Sequence, residues 1–314
     1  MRPKSTRATG RRVARAIGVA ASTLAAGLPA AAQPWVPAQG EGSVSIVYQN
    51  YYTLGHYDLQ GRPNTNGATH TRAVALELDY GLTDAVGLVI GVPFIGSKYT
   101  GSPSYFVAGI LTVPGPLDDG RYHGAFQDFR VEIRRLFMAG PVVVTPFAGG
   151  TVPSHGYETR GEAVPGRGRA ELQVGASVGL PLDRLLPGTH LHVRYGLGGA
   201  PPKNGYSAVR SLVDLEGGVN VLRRVGVRGI LGWQLRNKGP LAPELAADWA
   251  NHDRYIIGNF FNAGAGLTIV TTRSLDISAV WLQTISGKNG AHRARLFTVG
   301  ATWSFGGGFS LSGL

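Results

Sequence analysis

The fold class this sequence predicts is all-β: a closed, antiparallel transmembrane β-barrel of about twelve strands, with both termini periplasmic. Three observations predict it: strict two-residue alternation of bulky apolar side chains, short turns succeeding longer polar loops, and little charge beside abundant glycine. The alternation is clearest from Thr71 to Phe94. Val74, Leu76, Leu78 and Tyr80 share one side of an extended chain, with Ala75, Glu77 and Asp79 on the other. After Gly81-Leu82-Thr83-Asp84-Ala85 the pattern resumes in Val86, Leu88, Ile90, Val92 and Phe94, set against Gly87, Val89, Gly91 and Pro93. Successive side chains of a strand point to opposite faces, so this is a hairpin with one greasy face. Strands of about 9 to 11 residues with one apolar and one polar face suit a wall between lipid and a wet interior.

Composition sets the bounds. Of 314 residues, 47 are glycine and only 16% are charged, against about a quarter in ordinary soluble chains. Cysteine is absent, which excludes disulfides and thiolate metal sites. Residues 1–32 read as a cleaved signal peptide: Arg2, Lys4, Arg7, Arg11, Arg12 and Arg15 precede an apolar run from Ala16 to Leu28, and Pro29-Ala30-Ala31-Ala32-Gln33 offers a small-residue cleavage site after Ala32. The Arg11-Arg12 pair lacks the hydrophobic pair that a twin-arginine signal needs. That segment holds six of the 30 basic residues and no acidic one, so the mature chain carries 24 basic against 19 acidic residues, +5 rather than +11. Charge therefore gives little reason to expect nucleic acid as a partner. No later stretch approaches 18 consecutive apolar residues, which excludes a helical span. An exported chain of this kind is periplasmic, secreted or built into the outer membrane of a Gram-negative cell, and the strands decide for the last.

In chain order, residues 33–43 form a short periplasmic or plug segment, and residues 44–305 the barrel. The first strand, Gly42 to Tyr52, ends in Tyr48, Tyr51 and Tyr52, aromatics suited to a membrane-interface girdle. A polar loop, Gly55 to Thr69, leads into the hairpin at Thr71, and a second loop, Lys98 to His123, carries an apolar patch (Tyr105, Phe106, Val107, Ile110, Leu111) fit for a constriction or a rim. From Phe126 to Phe137, Phe129, Val131 and Ile133 oppose Asp128, Arg130, Glu132 and Arg134, whose alternating signs predict a ladder of pairs with neighbouring strands. Val142 to Val152 follows a tight turn. From Arg169 to Leu182, Leu172, Val174, Ala176 and Val178 oppose Glu171, Gln173 and Ser177. His190 to Gly198 sets Leu191, Val193 and Tyr195 against His190, His192 and Arg194; the next two strands set Val213 and Leu215 against Asp214 and Glu216, then Val227, Leu231 and Trp233 against Arg228, Gln234 and Arg236. A helical turn over Pro243 to Trp249 precedes a strand from Tyr255 to Val270. The last hairpin joins Leu275–Ile285, with Asp276, to Leu296–Phe305, with Trp303. Residues 306–314 are a glycine-rich tail. Connections near 83, 140, 186, 223 and 272 are short and those near 60, 110, 160, 204, 245 and 289 mostly longer, the barrel habit of short periplasmic turns and long outer loops.

Four stretches carry a family resemblance: DYGLTDAVGLVIGVPF (Asp79 to Phe94), GAFQDFRVEIRRLF (Gly124 to Phe137), TVPSHGYE with GRGRAELQVGASVG (between Thr151 and Gly179), and SGKNGAHRARLFTVGATWSF (Ser286 to Phe305). They resemble the outer-membrane proteins grouped with the meta-pathway of phenol degradation. His155 departs from that pattern, which runs proline, small hydroxyl residue, glycine. The resemblance implies an outer-membrane barrel that takes up small apolar or aromatic compounds.

The side chains assigned to lipid are Val74, Leu76, Leu78, Leu88, Ile90, Val92, Val174, Val178, Val193, Trp233 and Trp303. Those assigned to the lumen are Glu77, Asp79, Asp128, Arg130, Glu132, Arg134, Glu171, Gln173, His192, Arg194, Asp214, Glu216, Arg228, Gln234, Arg236 and Asp276. Mixed signs on this wall predict braced pairs and not an ion filter. Ser154 beside His155 suggests hydrolysis of lipid, but adjacent residues on an extended chain point apart, and no triad is visible, so no catalytic residue is assigned. His190 and His192 share a face without a third ligand at fixed spacing, so no metal ligand is assigned. The glycines of Gly264-Ala265-Gly266 read as strand glycines, not a phosphate loop. The expected protein is a passive channel or transporter without a cofactor. Its expected partners are the outer-membrane bilayer, the barrel-assembly machinery during insertion, and a small permeant. An outer-membrane hydrolase and a secreted soluble β-sandwich that binds a ligand are the alternatives.

Overall fold

The computed structural model describes residues 34–306 except 66, 103, 105 and 184–186. The segment expected to be a signal peptide, Tyr105 and the tail beyond residue 306 lie outside the described residues. Twelve antiparallel strands close into a barrel: β1 (Gly42–Tyr57), β2 (Gly67–Gly81), β3 (Val86–Gly101), β4, β5 (Val142–Val152), β6 (Glu171–Pro181), β7 (Thr189–Lys203), β8 (Tyr206–Leu222), β9 (Val225–Lys238), β10 (Asn259–Val270), β11 (Leu275–Lys288) and β12 (His292–Phe305). Strand β4 runs in three pieces, His123–Phe126, Phe129–Arg135 and Phe137–Ala139. Each strand pairs with the next, and β12 returns to β1 in a register from Gly42↔Phe305 to His56↔His292. Closure leaves no unpaired edge, the condition for crossing a hydrocarbon layer with strands.

The outer wall is apolar. Leu76 (52%), Val174 (54%) and Trp303 (53%) are half exposed there, with Val74, Ile46, Ile133 and Phe297 also exposed. Leu78, Leu88, Ile90, Val92, Val178, Val193 and Trp233 share that outward register, partly covered by neighbours. Trp233 stacks on Phe261 of the adjacent strand. A sandwich would bury these side chains in a common centre, so that alternative is overturned.

Several details depart from the sequence reading. The tyrosines of β1 split: Tyr48 and Tyr52 are exposed outward, whereas Tyr51 is buried inside at 5%. Strand β3 continues to Gly101, well into the expected second loop. That loop's small hairpin (Phe106–Val107 with Ile110–Leu111) lies at the rim, where Val107 packs on the buried cluster of Ala242, Leu245, Trp249, Tyr255 and Ile256. The expected helical turn is longer, a 3-10 helix (Ala242–Asn251) running into α1 (His252–Tyr255), which moves the start of β10 to Asn259. Two of the connections expected to be long loops are tight. Asn204-Gly205 and Asn289-Gly290 have positive φ at both positions (50° and 79°; 56° and 74°), the left-handed pair that Asn-Gly hairpin turns favour.

Candidate functional site: the barrel interior

One arc of the interior is a network of fixed charges. Glu132 on β4 accepts from two arginines: Arg130 Nη2 on the same strand at 2.7 Å, and Arg194 of β7, whose Nη2 and Nη1 reach its two oxygens at 2.7 and 3.2 Å. The Arg194 guanidinium also lies 3.5 Å from the ring centre of Phe147 on β5, a cation–π contact. Arg134 pairs with Asp79 of β2. Arg210 of β8 donates to Glu171 of β6 (2.6 Å) and to Gln234 of β9 (3.1 Å). Glu216 has His190 Nε2 at 3.5 Å and Arg228 Nε at 3.7 Å. Asp128 accepts from the Tyr157 hydroxyl. Glu77, Asp214 and Asp276 lie on the same inward register, His192 is buried there, and Gln173 lies against Gly196, where an added Cβ would come within 2.4 Å of its Nε2. Arg236 instead closes a loop, its Nη1 donating to Gly239 O at 2.7 Å.

Glu216 with His190 and Arg228, and Arg210 with Gln234, lie on adjacent strands, but the pairs of β4 do not form the ladder with neighbouring strands that was expected of them. Glu132 reaches over β5 and β6, and Arg134 reaches over β3, because β3 turns Gly87, Val89, Gly91 and Pro93 inward while β5 turns Val143, Thr145 and Phe147. With no charge next door, the long arginines bridge chords of the ring. A buried carboxylate held by two guanidiniums keeps its charge compensated away from water.

The opposite arc is apolar and was not foreseen. Val47 and Tyr51 of β1, Ile230 of β9, Val280 and Leu282 of β11, and Ala294 and Leu296 of β12 form one buried cluster inside the barrel. Between them β10 presents glycine: an added Cβ at Gly264 would lie 2.9 Å from Leu282 Cγ, and one at Gly266 2.6 Å from Arg228 Nε. The signal was present in the sequence as large side chains on the supposedly polar face, such as Ile230 opposite Leu231.

Both mouths are narrowed. At the short-turn end residues 34–38 cross from β1 to the far wall, where Thr145 donates to the carbonyl of Pro34 and Gly179 faces Pro34 and Trp35 so closely that a Cβ would meet Pro34 Cγ at 2.3 Å. At the other end the 3-10 helix and α1 cross toward the β7–β8 turn, tied by Asn204 Nδ2 to the Tyr255 hydroxyl (2.8 Å) and by Arg167 Nη2 to Ile256 O (3.0 Å).

Ser154 and His155 require a second correction. Their chain bends and is not extended, and Ser154 Oγ lies 2.8 Å from His155 Nδ1. The same hydroxyl sits 2.8 Å from the carbonyl of Phe126, which only accepts, so its proton goes there and Nδ1–H donates to the oxygen. That is the reverse of the proton transfer a nucleophile needs.

No protein-family model and no curated protein matches the chain. The structure is similar to the COG4313 outer membrane channel from Pseudomonas putida F1, with 13% identity over 87% of this chain and 98% of that one and a TM-score of 0.66. The chain has the fold of an outer-membrane β-barrel. A second similar structure is the NanC porin, at 9% identity over 83% of this chain and all (100%) of that one, TM-score 0.47. This outer-membrane barrel shares the architecture of the first structure, and its interior is described by its own residues.

Proposed function

We propose that this barrel is a passive channel for small apolar or aromatic compounds, working without a cofactor or a covalent step, and akin to the barrels grouped with the phenol meta-pathway. The observation that carries the reading is the divided interior. A wall of one charge would select ions by its field. Here the charges cancel within the protein, and the facing arc of Val47, Ile230, Val280, Leu282 and Leu296 offers a permeant ring an apolar surface. On this reading residues 34–41 and the short turns face the periplasm, the long loops face outward, and the exposed apolar side chains of the wall meet lipid.

Flux into liposomes tests it. An aromatic acid is expected to enter faster than a sugar of similar size and to block the ion current in planar bilayers, and Leu282→Glu is expected to erase that preference. Equal entry of acid and sugar into wild-type liposomes would sink the proposal. Ser154→Ala and His155→Ala variants are expected to show the same lipid turnover as the parent; a loss of turnover in either would revive the hydrolase.

A further inference from the structure

Above the barrel wall, three imidazoles and a carboxylate converge from parts of the chain far apart in sequence. His56 ends β1, His292 begins β12 as its direct cross-strand partner, and His252 and Asp253 open α1. One ligand atom from each lies within 4.8 Å of all the others. Asp253 Oδ1 stands 2.9 Å from His292 Nε2 and 3.3 Å from His252 Nε2. Four ligands around an ion at 2.0–2.1 Å would be about 3.3 Å apart in a tetrahedron, so two pairs already approach that spacing.

The protonation pattern points the same way. His252 Nδ1 lies 2.7 Å from Trp249 O and donates to it, since a carbonyl only accepts. That bond fixes the tautomer that leaves the Nε2 lone pair free, the outer-shell arrangement of metal-binding histidines. Nε2 of His252 and Nε2 of His56 are both buried without a hydrogen-bond partner. Glu162 adds a second carboxylate, its Oε2 lying 3.5 Å from His252 Nε2 and 3.8 Å from His56 Nε2. Two buried, unpartnered imidazole nitrogens beside these carboxylates form a site that a divalent cation completes.

We infer that His56, His252, His292 and Asp253 bind a divalent transition metal of the zinc type. Three imidazoles and one carboxylate suit zinc, copper or nickel, and are too poor in oxygen for calcium or magnesium. Four protein ligands make a closed, structural site. A cavity of about 350 Å³ lined by His56, Glu162 and Trp249 gives the ion a way in. Once bound, the ion ties β1, β12 and α1 together at the mouth.

The test uses the full chain without a histidine tag, in detergent, dialysed against chelator and then titrated with Zn2+. One ion per chain is expected, with a rise in melting temperature that Ca2+ and Mg2+ do not give, and Co2+ is expected to show the visible bands of tetrahedral coordination. His292→Ala and Asp253→Asn are each expected to weaken binding at least tenfold, and His155→Ala not at all. Gel migration that still changes on boiling shows that a variant barrel is folded. An untagged parent that retains no Zn2+ overturns the inference, as does undiminished binding in a folded His56→Ala/His292→Ala double variant.

Discussion

Glu132→Ala is expected to destabilise the folded barrel by about 3–5 kcal/mol, the cost of stranding a buried partner of a broken ion pair. Glu132 is 2% exposed, and its removal takes from the buried Arg130 (8%) and Arg194 (6%) the carboxylate they share. Urea titration in detergent, read by the gel shift between folded and boiled forms, measures the loss. Adding Arg194→Leu is expected to recover part of it, because one of the two cations that shared Glu132 is then gone. A loss of less than about 1 kcal/mol for the single variant would mean that water already solvates the network.

Deleting residues 34–40 is expected to raise single-channel conductance severalfold, the largest change in transport any short deletion here should produce. The segment spans the mouth from β1 to its contacts at Thr145 and Gly179 on the far wall. Gly179→Leu is expected to do the same without shortening the chain, since its Cβ cannot share space with Pro34 Cγ. Planar-bilayer recordings distinguish the outcomes: two variants with parental conductance would show that the narrowing lies elsewhere, at the helix across the loop end.

The two-residue alternation of the strands was legible in the sequence, because that period needs no knowledge of neighbours. What each residue touches was not. Arg194 meets Glu132 across 62 positions of sequence, and that pairing depends on register, tilt and the glycines between, none of which alternation encodes. Tyr51 reads as a girdle residue only until the parity of β1 turns it inward beside Leu296. The Ser154–His155 contact was missed because extended geometry was assumed where the chain bends. His56 and His292 become neighbours only when β12 closes on β1, and neither is near His190 or His192, the pair that sequence spacing picks out.

The cancelled charges along the chords of the ring have an electrical consequence. A membrane potential does about 2.3 kcal/mol of work per 100 mV on each elementary charge carried across it. When an arginine and the carboxylate gripping it shift together, the two contributions subtract. These pairs are thereby insulated from voltage: moving as units, they offer the potential no net charge to drag.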